Sequence, residues 1–398
     1  MLKHKIKNIY VIILVNQRSF LNNMIKELKN VKTLLEDGYA FCDIRVEDGK
    51  FSKIVKNSND KDQESDTFII PGFVDEHTHG GDGYDFSTCK NVEEMEKILK
   101  FYVKHGVTSV LPTLLTERDE VIFKQLELIY QTSLKNPIIK GVHLEGPFLC
   151  KEFKGAQLES CLQKPTIEKS KIFYEKSHGL LKLMTIAPEN EGSEETIKWL
   201  TSHGVKVTLG HSAATFDDCT KALKSGATCM THLFNAMKGI HQHFPSIATA
   251  GLYYDDFYTE VILDGIHVHP EMVEFIRKLK GNDKVIGITD SLMSAGLPDG
   301  NYFIGETPIT VKNHDCVITE TGVRAGSTLT MKRAFDNVKR FCSIDDVVAS
   351  HICSLNCAKA LGLDDKIGSI KEGKNADFLV LDKNYEIKEV YINGEKVL

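Results

Sequence analysis

Apolar runs with strand character recur through the middle of the chain and alternate with helical stretches. Eight runs of this kind can be counted, at residues 68–74, 107–111, 138–144, 180–187, 205–209, 227–231, 259–263 and 284–289. The stretch after the first run carries apolar residues at helical spacing and ends before Gly106. Eight strands alternating with helices favour an α/β fold, the (β/α)8 or TIM barrel. A doubly wound open sheet remains the alternative, because periodicity alone does not separate the two.

Shorter elements are predicted at the two ends of the chain. The pattern predicts a helix at 25–35, a polar surface loop at 57–66, and strands at 10–15, 39–46, 51–55, 377–381 and 387–392. Strands at both ends that lack local partners suggest one small sheet built from both termini. We therefore divide the chain into an N-terminal part of a small domain (1–66) with an atypical helical insertion, a barrel (67–360) and a C-terminal part of the small domain (361–398).

The composition narrows the classes of function. The 398 residues include 49 Lys and Arg against 55 Asp and Glu, so the formal net charge is −6 and the positive field that nucleic-acid binding needs is missing. Ten cysteines without a CxxC pair are typical of free thiols in a reducing cytosol. The longest N-terminal apolar run, 9–15, is too short to cross a bilayer. We expect a cytoplasmic protein with neither nucleic-acid nor membrane partners.

Imidazole and carboxylate side chains stand at or just after the ends of the predicted strands. They are Asp75, His77, His79, His143, Glu145, His211, His232, Asp264, His267 and Asp290. In a barrel these positions share the C-terminal rim, where such enzymes place their active sites. Imidazoles with carboxylates are ligands for zinc or a similar divalent ion. A pair such as His77 and His79 is a weak signal alone, but several such residues at corresponding strand ends favour a metal site.

Several segments resemble a known enzyme family. PGFVDEHTHG (71–80) resembles the opening motif of the amidohydrolase superfamily. Six further segments resemble one branch of this superfamily, the N-acetylglucosamine-6-phosphate deacetylases. They are GVHLEGPF (141–148), LGHSAAT (209–215), THLFNAM (231–237), LDGIHVHP (263–270), GITDS (287–291) and AGSTLTM (325–331). The stretch at 368–382 resembles the segment that returns to the family's small β-sandwich domain, whereas the first 40 residues match poorly. Dihydroorotases and hydantoinases carry a modified lysine after the fourth strand, where this chain reads TIAPE (185–189).

The resemblance implies roles for the rim residues. Glu145, His211 and His232 would hold the main divalent ion, most simply zinc, with Glu145 in the bridging place. His77 and His79 would hold a second ion, or form an empty second site, so one or two ions per subunit are expected. Asp290 matches the family's acid/base aspartate, which takes a proton from water and delivers it to the leaving amine.

The resemblance also implies a substrate pocket. The residues carried over as substrate contacts are Ala156, Asn235, Ala236, His243, Asp264, Gly265, His267, Ala325 and Gly326. Family members carry an arginine that reaches the substrate phosphate from the neighbouring subunit of a homodimer, within an HHREPG-like stretch. This chain reads HQHFPS (241–246), so His243 stands at the arginine's place. Arg324 stands where an apolar residue is usual and offers another cation.

These features predict deacetylation of N-acetylglucosamine 6-phosphate to glucosamine 6-phosphate and acetate, in amino-sugar catabolism. The same reaction on an unphosphorylated or epimeric N-acetylamino sugar is the alternative. A catalytically inactive barrel kept as a scaffold is disfavoured, because such relatives normally lose metal ligands and this chain retains all five, together with Asp290.

Overall fold

The computed structural model describes residues 24–57 and 65–398. The strand predicted at 10–15 and most of the loop predicted at 57–66 lie outside these residues. The chain divides into two compact units. One contains the described residues up to Pro71 together with Ser369–Leu398, and the other is Gly72–Gly368.

Twenty strands are found within the described residues. In chain order they are β1 (Glu27–Leu35), β2 (Gly38–Glu47), β3 (Lys50–Lys56), β4 (Thr67–Pro71), β5 (Phe73–Thr78), β6 (Gly80–Gly81), β7 (Tyr84–Asp85), β8 (Val107–Leu114), β9 (Val142–Glu145), β10 (Leu181–Ile186), β11 (Lys206–Leu209), β12 (Cys229–Met230), β13 (Tyr258–Ile262), β14 (Val285–Ile288), β15 (Gly300–Ile304), β16 (Thr307–Lys312), β17 (Asp315–Ile318), β18 (Phe378–Asp382), β19 (Ile387–Ile392) and β20 (Glu395–Lys396).

Ten α-helices accompany them in the same part of the chain. They are α1 (Val92–Lys104), α2 (Asp119–Ser133), α3 (Ile167–Lys176), α4 (Ser193–Ser202), α5 (Phe216–Lys224), α6 (Ile247–Tyr253), α7 (Pro270–Lys280), α8 (Met331–Cys342), α9 (Asp346–Ser350) and α10 (Asn356–Leu361). A 3-10 turn occupies Glu159–Cys161, and a π turn, His351–Leu355, joins α9 to α10. Within the described residues, no helix combines the length and apolar character needed to span a bilayer.

The terminal unit is built around one seven-stranded sheet with the order β20-β19-β18-β4-β1-β2-β3. Strand β4 joins the two ends of the chain, because it pairs in parallel with β1 and antiparallel with β18. Side chains from both ends then share one apolar core, which includes Leu28, Ile44, Phe51, Ile69, Phe378 and Tyr391. The predicted small sheet from both termini is confirmed.

The helix predicted at 25–35 is wrong, because residues 27–35 form β1. The register between β1 and β2 shifts between Leu28 and Val31, where three steps along β1 match two along β2. Asn30 in this stretch has a φ of 49°. A bulge of this kind adds one residue and interrupts the alternation of a strand. Apolar residues three apart, such as Leu28 and Val31, therefore imitate helical spacing.

The second unit contains the predicted barrel. Eight parallel strands follow the order β14-β13-β12-β11-β10-β9-β8-β5. At the rim, backbone hydrogen bonds from His79 N to Ser291 O (2.8 Å) and from Asp290 N to His77 O (2.9 Å) join the two ends of this sheet. Every predicted run overlaps a barrel strand, but the first run spans two elements: β4 belongs to the terminal sheet and β5 to the barrel. The barrel is confirmed over the open sheet.

Residues 300–318, which follow β14, form a small antiparallel sheet of β15, β16 and β17. We call this sheet the flap. Asn313 and His314 both have positive φ, 52° and 69°, and turn the chain between β16 and β17. Ile309, Val311 and Cys316 of the flap pack with Leu292 in a core separate from that of the terminal sheet. The sequence pattern did not predict this element.

Candidate active site

Three predicted site residues follow barrel strands in a strained backbone conformation. His211, His232 and Asp290 have φ values of 48°, 26° and 49°, although none is glycine. Non-glycine residues in the left-handed region are uncommon, and they concentrate at sites where the surrounding structure holds a side chain in place. All three side chains are almost fully buried. The backbone at the rim is thus shaped to present these three side chains.

Glu145 lies at the centre of the rim cluster. Its Oε1 is 2.9 Å from His211 Nε2, 3.1 Å from His232 Nε2 and 3.3 Å from His77 Nε2. Its Oε2 is 3.3 Å from His79 Nε2. One carboxylate therefore faces all four predicted imidazole ligands, which come from three different strand ends.

The imidazole rings are oriented as metal ligands usually are. The Nδ1 atoms of three rings face acceptors: His77 faces Glu260 Oε2 at 2.9 Å, His79 faces Thr113 O at 3.2 Å and His211 faces Phe153 O at 3.0 Å. An acceptor at Nδ1 favours a proton there and leaves the lone pair on Nε2, the atom that points into the cluster. His77 Nε2 is buried and has no hydrogen-bond partner. The donor set therefore fits a divalent ion between these atoms.

The carboxylates and imidazoles of the cluster shift one another's pKa values. Burial acts to raise the pKa of Glu145, but His77 and His211 outweigh it and hold that pKa well below its ordinary value. Burial acts to lower the pKa of His79, yet Asp290 and Glu145 raise it to about 9. The carboxylates therefore stay ionised. The positive charge that balances them is carried by protons on imidazole or by a metal ion in their place.

Asp290 stands beside the His77–His79 pair. Its Oδ1 is 3.1 Å from His79 Nε2 and 3.7 Å from His77 Nε2. Burial acts to raise the pKa of Asp290, but His79 and His77 lower it overall. The carboxylate is therefore ionised at neutral pH and able to accept a proton at the edge of the cluster.

A cavity of about 420 Å³ reaches this cluster. The predicted residues that line it are His79, Glu145, Ala156, His211, His232, Asn235, Ala236, His267, Asp290, Ala325 and Gly326. Asp264 lies behind His267, with Oδ2 2.7 Å from His267 Nδ1. Neighbouring Gly265 has a φ of 77°, in the region that favours glycine. His243 is exposed and does not line this cavity.

Two residues of the cluster were missed by sequence reasoning. Glu260 on β13 orients His77, and its Oε2 also accepts a hydrogen bond from the backbone N of His232 at 3.1 Å. A glutamate inside an otherwise apolar strand was a visible signal, because a buried carboxylate needs a partner. Gln157 donates from Nε2 to Glu145 Oε2 at 2.5 Å. It comes from a loop, and nothing in its sequence context marked it.

The far end of the cavity is formed by the flap and the segment after it. Ile304, Asp315 and Val317 of the flap line the cavity, as do Val323 and Arg324. Arg324 binds Asp315 through two contacts, Nε to Oδ1 at 3.0 Å and Nη2 to Oδ2 at 3.2 Å. Among the described residues that line the cavity, Arg324 is the only lysine or arginine.

Comparison with known proteins gives a consistent picture. The Amidohydrolase family model matches residues 68–397. The chain is 32% identical to the N-acetylglucosamine-6-phosphate deacetylase of Bacillus subtilis, over 92% of this chain and 94% of that protein. It is 31% identical to an N-acetylgalactosamine-6-phosphate deacetylase of Escherichia coli, over 94% of this chain and 99% of that protein.

A solved structure agrees with these relatives. A mutant N-acetyl-D-glucosamine-6-phosphate deacetylase of Mycobacterium smegmatis, in complex with N-acetyl-D-glucosamine-6-phosphate, superposes with a TM-score of 0.87 at 29% identity. The similarity covers 94% of this chain and 99% of that one. The chain belongs to the amidohydrolase family and, within it, to the N-acetylglucosamine-6-phosphate deacetylases.

Proposed function

We propose that the protein hydrolyses the acetamide of N-acetylglucosamine 6-phosphate to glucosamine 6-phosphate and acetate, in amino-sugar catabolism in the cytoplasm. The observation that carries this proposal is the convergence of four imidazoles on Glu145, with Asp290 beside them, at the end of a cavity of about 420 Å³. A cavity of this size is within the usual range for small-molecule sites.

The cluster supports one or two divalent ions, with zinc as the simplest choice for imidazole and carboxylate ligands. Glu145, His211 and His232 would hold the main ion, and His77 and His79 the second. An ion held there supplies Lewis-acid polarisation of the amide carbonyl and of the attacking water.

Asp290 is proposed to act as the general base and then the general acid in this reaction. Its ionised carboxylate accepts a proton from the attacking water and then donates that proton to the amide nitrogen of the substrate. The nitrogen leaves as an amine once it is protonated, and the acyl carbon leaves as acetate. Asn235, Ala236, Ala156, Ala325 and Gly326 line the space where the sugar would lie.

The phosphate end is proposed to use two groups of this chain. His267 and Arg324 both line the cavity, and each donates well to phosphate oxygens. Burial acts to lower the pKa of His267, but the carboxylate of Asp264 raises it overall, which favours the charged imidazolium. His243 is retained as a third contact, contributed by a second copy of the chain in a homodimer, because it is exposed and lies outside the cavity of its own chain.

The direct test is acetate release from four sugars: N-acetylglucosamine and N-acetylgalactosamine, each with and without a 6-phosphate. We expect the highest kcat/KM for N-acetylglucosamine 6-phosphate. The galactosamine epimer is the specific competitor, because a relative that is 31% identical to this chain is named for it. A clear preference for either galactosamine substrate, or for a free sugar, would replace the proposed substrate.

A further inference from the structure

The segment after the flap extends the flap sheet at the far end of the cavity. Arg324 pairs with Val317 of β17 in an antiparallel bridge, and Ala325 N donates to Cys316 O at 3.1 Å. Asp315 lies two residues before Val317, so their side chains share one face of the strand. Asp315, Val317 and Arg324 all line the cavity, whereas Cys316 is buried in the apolar core on the opposite face. The sheet therefore presents Asp315 and Arg324 together to the cavity.

The ion pair between these two side chains leaves hydrogen-bonding capacity on both partners. Arg324 donates from Nε and Nη2, so the bonds at 3.0 and 3.2 Å use two of the five N–H donors of its guanidinium. Each carboxylate oxygen of Asp315 accepts one of these bonds, and a carboxylate oxygen can accept about two. The side chains of Arg324 and Asp315 are 51% and 36% exposed, so a ligand can reach both. The pair thus offers donors and acceptors side by side.

A phosphate site alone does not explain Asp315. The phosphate group is anionic, and a carboxylate 3.0 Å from the arginine that binds it weakens their attraction. A hydroxyl group is the ligand that suits such a carboxylate, because a hydroxyl donates a hydrogen bond and carries no charge. A sugar phosphate brings both kinds of group, since its phosphate oxygens accept hydrogen bonds and its ring hydroxyls donate them. The Asp315–Arg324 pair is therefore complementary to the sugar and the phosphate together.

We propose that Asp315 determines the sugar specificity of the enzyme by accepting a hydrogen bond from the 4-hydroxyl of the substrate. This role rests on the proposed function, in which Arg324 binds the 6-phosphate. Carbon 4 and the phosphate-bearing carbon 6 are both bonded to carbon 5, so a phosphate held by Arg324 brings the 4-hydroxyl towards Asp315. This hydroxyl is equatorial in glucosamine sugars and axial in galactosamine sugars, which differ nowhere else. A site built to bond a hydroxyl rejects an analogue that cannot supply it.

The experiment removes the carboxylate and the hydroxyl separately and together. kcat/KM for acetate release is measured in wild-type protein and in Asp315→Ala, with N-acetylglucosamine 6-phosphate and with its 4-deoxy analogue. Loss of the hydroxyl should lower kcat/KM of the wild type by about 10- to 100-fold, the usual worth of a hydrogen bond to a charged group. It should cost Asp315→Ala almost nothing, because the same bond is already lost. The preference for N-acetylglucosamine 6-phosphate over its galactosamine epimer should fall in Asp315→Ala by a similar factor.

Glu306→Ala is the matched control, because Glu306 is a flap carboxylate that also pairs with an arginine, Arg118, but does not line the cavity. It should respond to both substrate changes as the wild type does. A role of Asp315 in orienting Arg324 alone would affect both phosphorylated epimers alike and leave the preference between them unchanged.

Full activity of the wild type on the 4-deoxy sugar would overturn the proposed role of Asp315 without any variant. An equal cost of hydroxyl removal in wild type and Asp315→Ala would overturn it as well, as would an unchanged preference between the epimers. A wild-type preference for a galactosamine substrate or for a free sugar is a different result, because it replaces the proposed substrate and the role of Asp315 with it.

Discussion

The two ends of the catalytic cavity are built differently. At the metal end, Glu145, His211, His232 and Asp290 lie at or within two residues of the ends of barrel strands and are nearly fully buried. At the far end, where we propose that the phosphate binds, the lining comes from the flap and from the segment that carries Arg324, whose side chain is 51% exposed. Strand ends in a closed barrel have fixed positions, whereas loops and small insertions vary.

This difference between the two ends indicates that the residues at the metal end are more constrained than those at the other end. The metal end keeps all five ligands expected from the resemblance together with Asp290, and its carboxylates and imidazoles stabilise one another's charges. The residues that we propose contact the phosphate depart from the pattern at Arg324 and at His243, which lies outside the cavity of its own chain. We therefore expect the chain to catalyse the family's deacetylation, and we expect its phosphate contacts to be specific to this chain.

The largest effect is expected for Glu145→Ala. Glu145 faces all four imidazoles, so its removal leaves the cluster without its shared anion. Metal content and acetate release should fall together, with activity near the detection limit. Elemental analysis and a rate measurement on the same preparation provide the check. A variant with full metal content and normal turnover would place the site elsewhere.

Asp290→Asn should separate metal binding from proton transfer. The amide keeps the shape of the side chain but cannot carry the proton, so kcat should fall by about 10²- to 10⁴-fold. Metal content should stay close to that of the wild type, unlike in Glu145→Ala. Activity within a few-fold of the wild type would show that Asp290 is not the acid/base group.

Arg324→Met tests the phosphate end. If Arg324 binds the phosphate, the preference for the phosphorylated over the free sugar should drop by about 10- to 100-fold, the usual worth of a hydrogen bond to a charged group. The drop should appear mainly in KM. Arg118→Met is the matched control, because Arg118 pairs with Glu306 of the flap but does not line the cavity. An unchanged preference in Arg324→Met would remove Arg324 from the phosphate site.

The pH dependence of KM for the phosphorylated sugar should follow the protonation of His267. Because the pKa of His267 is raised, the imidazolium exists below that pKa and is lost as the pH rises through it. KM for the phosphorylated sugar should therefore increase by a few-fold on the alkaline side. Asp264→Asn keeps an acceptor but removes the charge, so the rise should begin at a lower pH. A rise at the same pH in both proteins would separate His267 from this effect.

The smallest effect is expected for His243→Arg. An arginine is always charged and binds phosphate through two parallel bonds, so it should tighten KM for the phosphorylated sugar by a few-fold and flatten its pH dependence. The free sugar should be unaffected. Because His243 is proposed to act from a second copy, the effect should require a dimer, which sedimentation can verify. Equal changes on both sugars would show that His243 does not face the phosphate.

Sequence reasoning recovered the barrel and its rim because both follow from periodic signals. Alternating strands and helices predict the barrel, and polar residues at strand ends then converge without further information. The role of Glu260 was not predicted, because it depends on contact with His77, which lies 183 residues away in the chain. Gln157 comes from a loop without a sequence signal, and the pattern did not reveal the short strands of the flap. The helix predicted at 25–35 failed for a local reason, since the bulge near Asn30 breaks the alternation of β1.

We expect amide hydrolysis to require a divalent ion held by the Glu145 cluster. The most direct measurement is a zinc titration of chelator-treated protein, in which acetate release from N-acetylglucosamine 6-phosphate is followed against bound metal. Activity should be absent without metal and should rise in step with occupancy of the cluster in wild-type protein, but not in Glu145→Ala. Full activity in the metal-free protein, or activity restored equally in Glu145→Ala, would contradict the account.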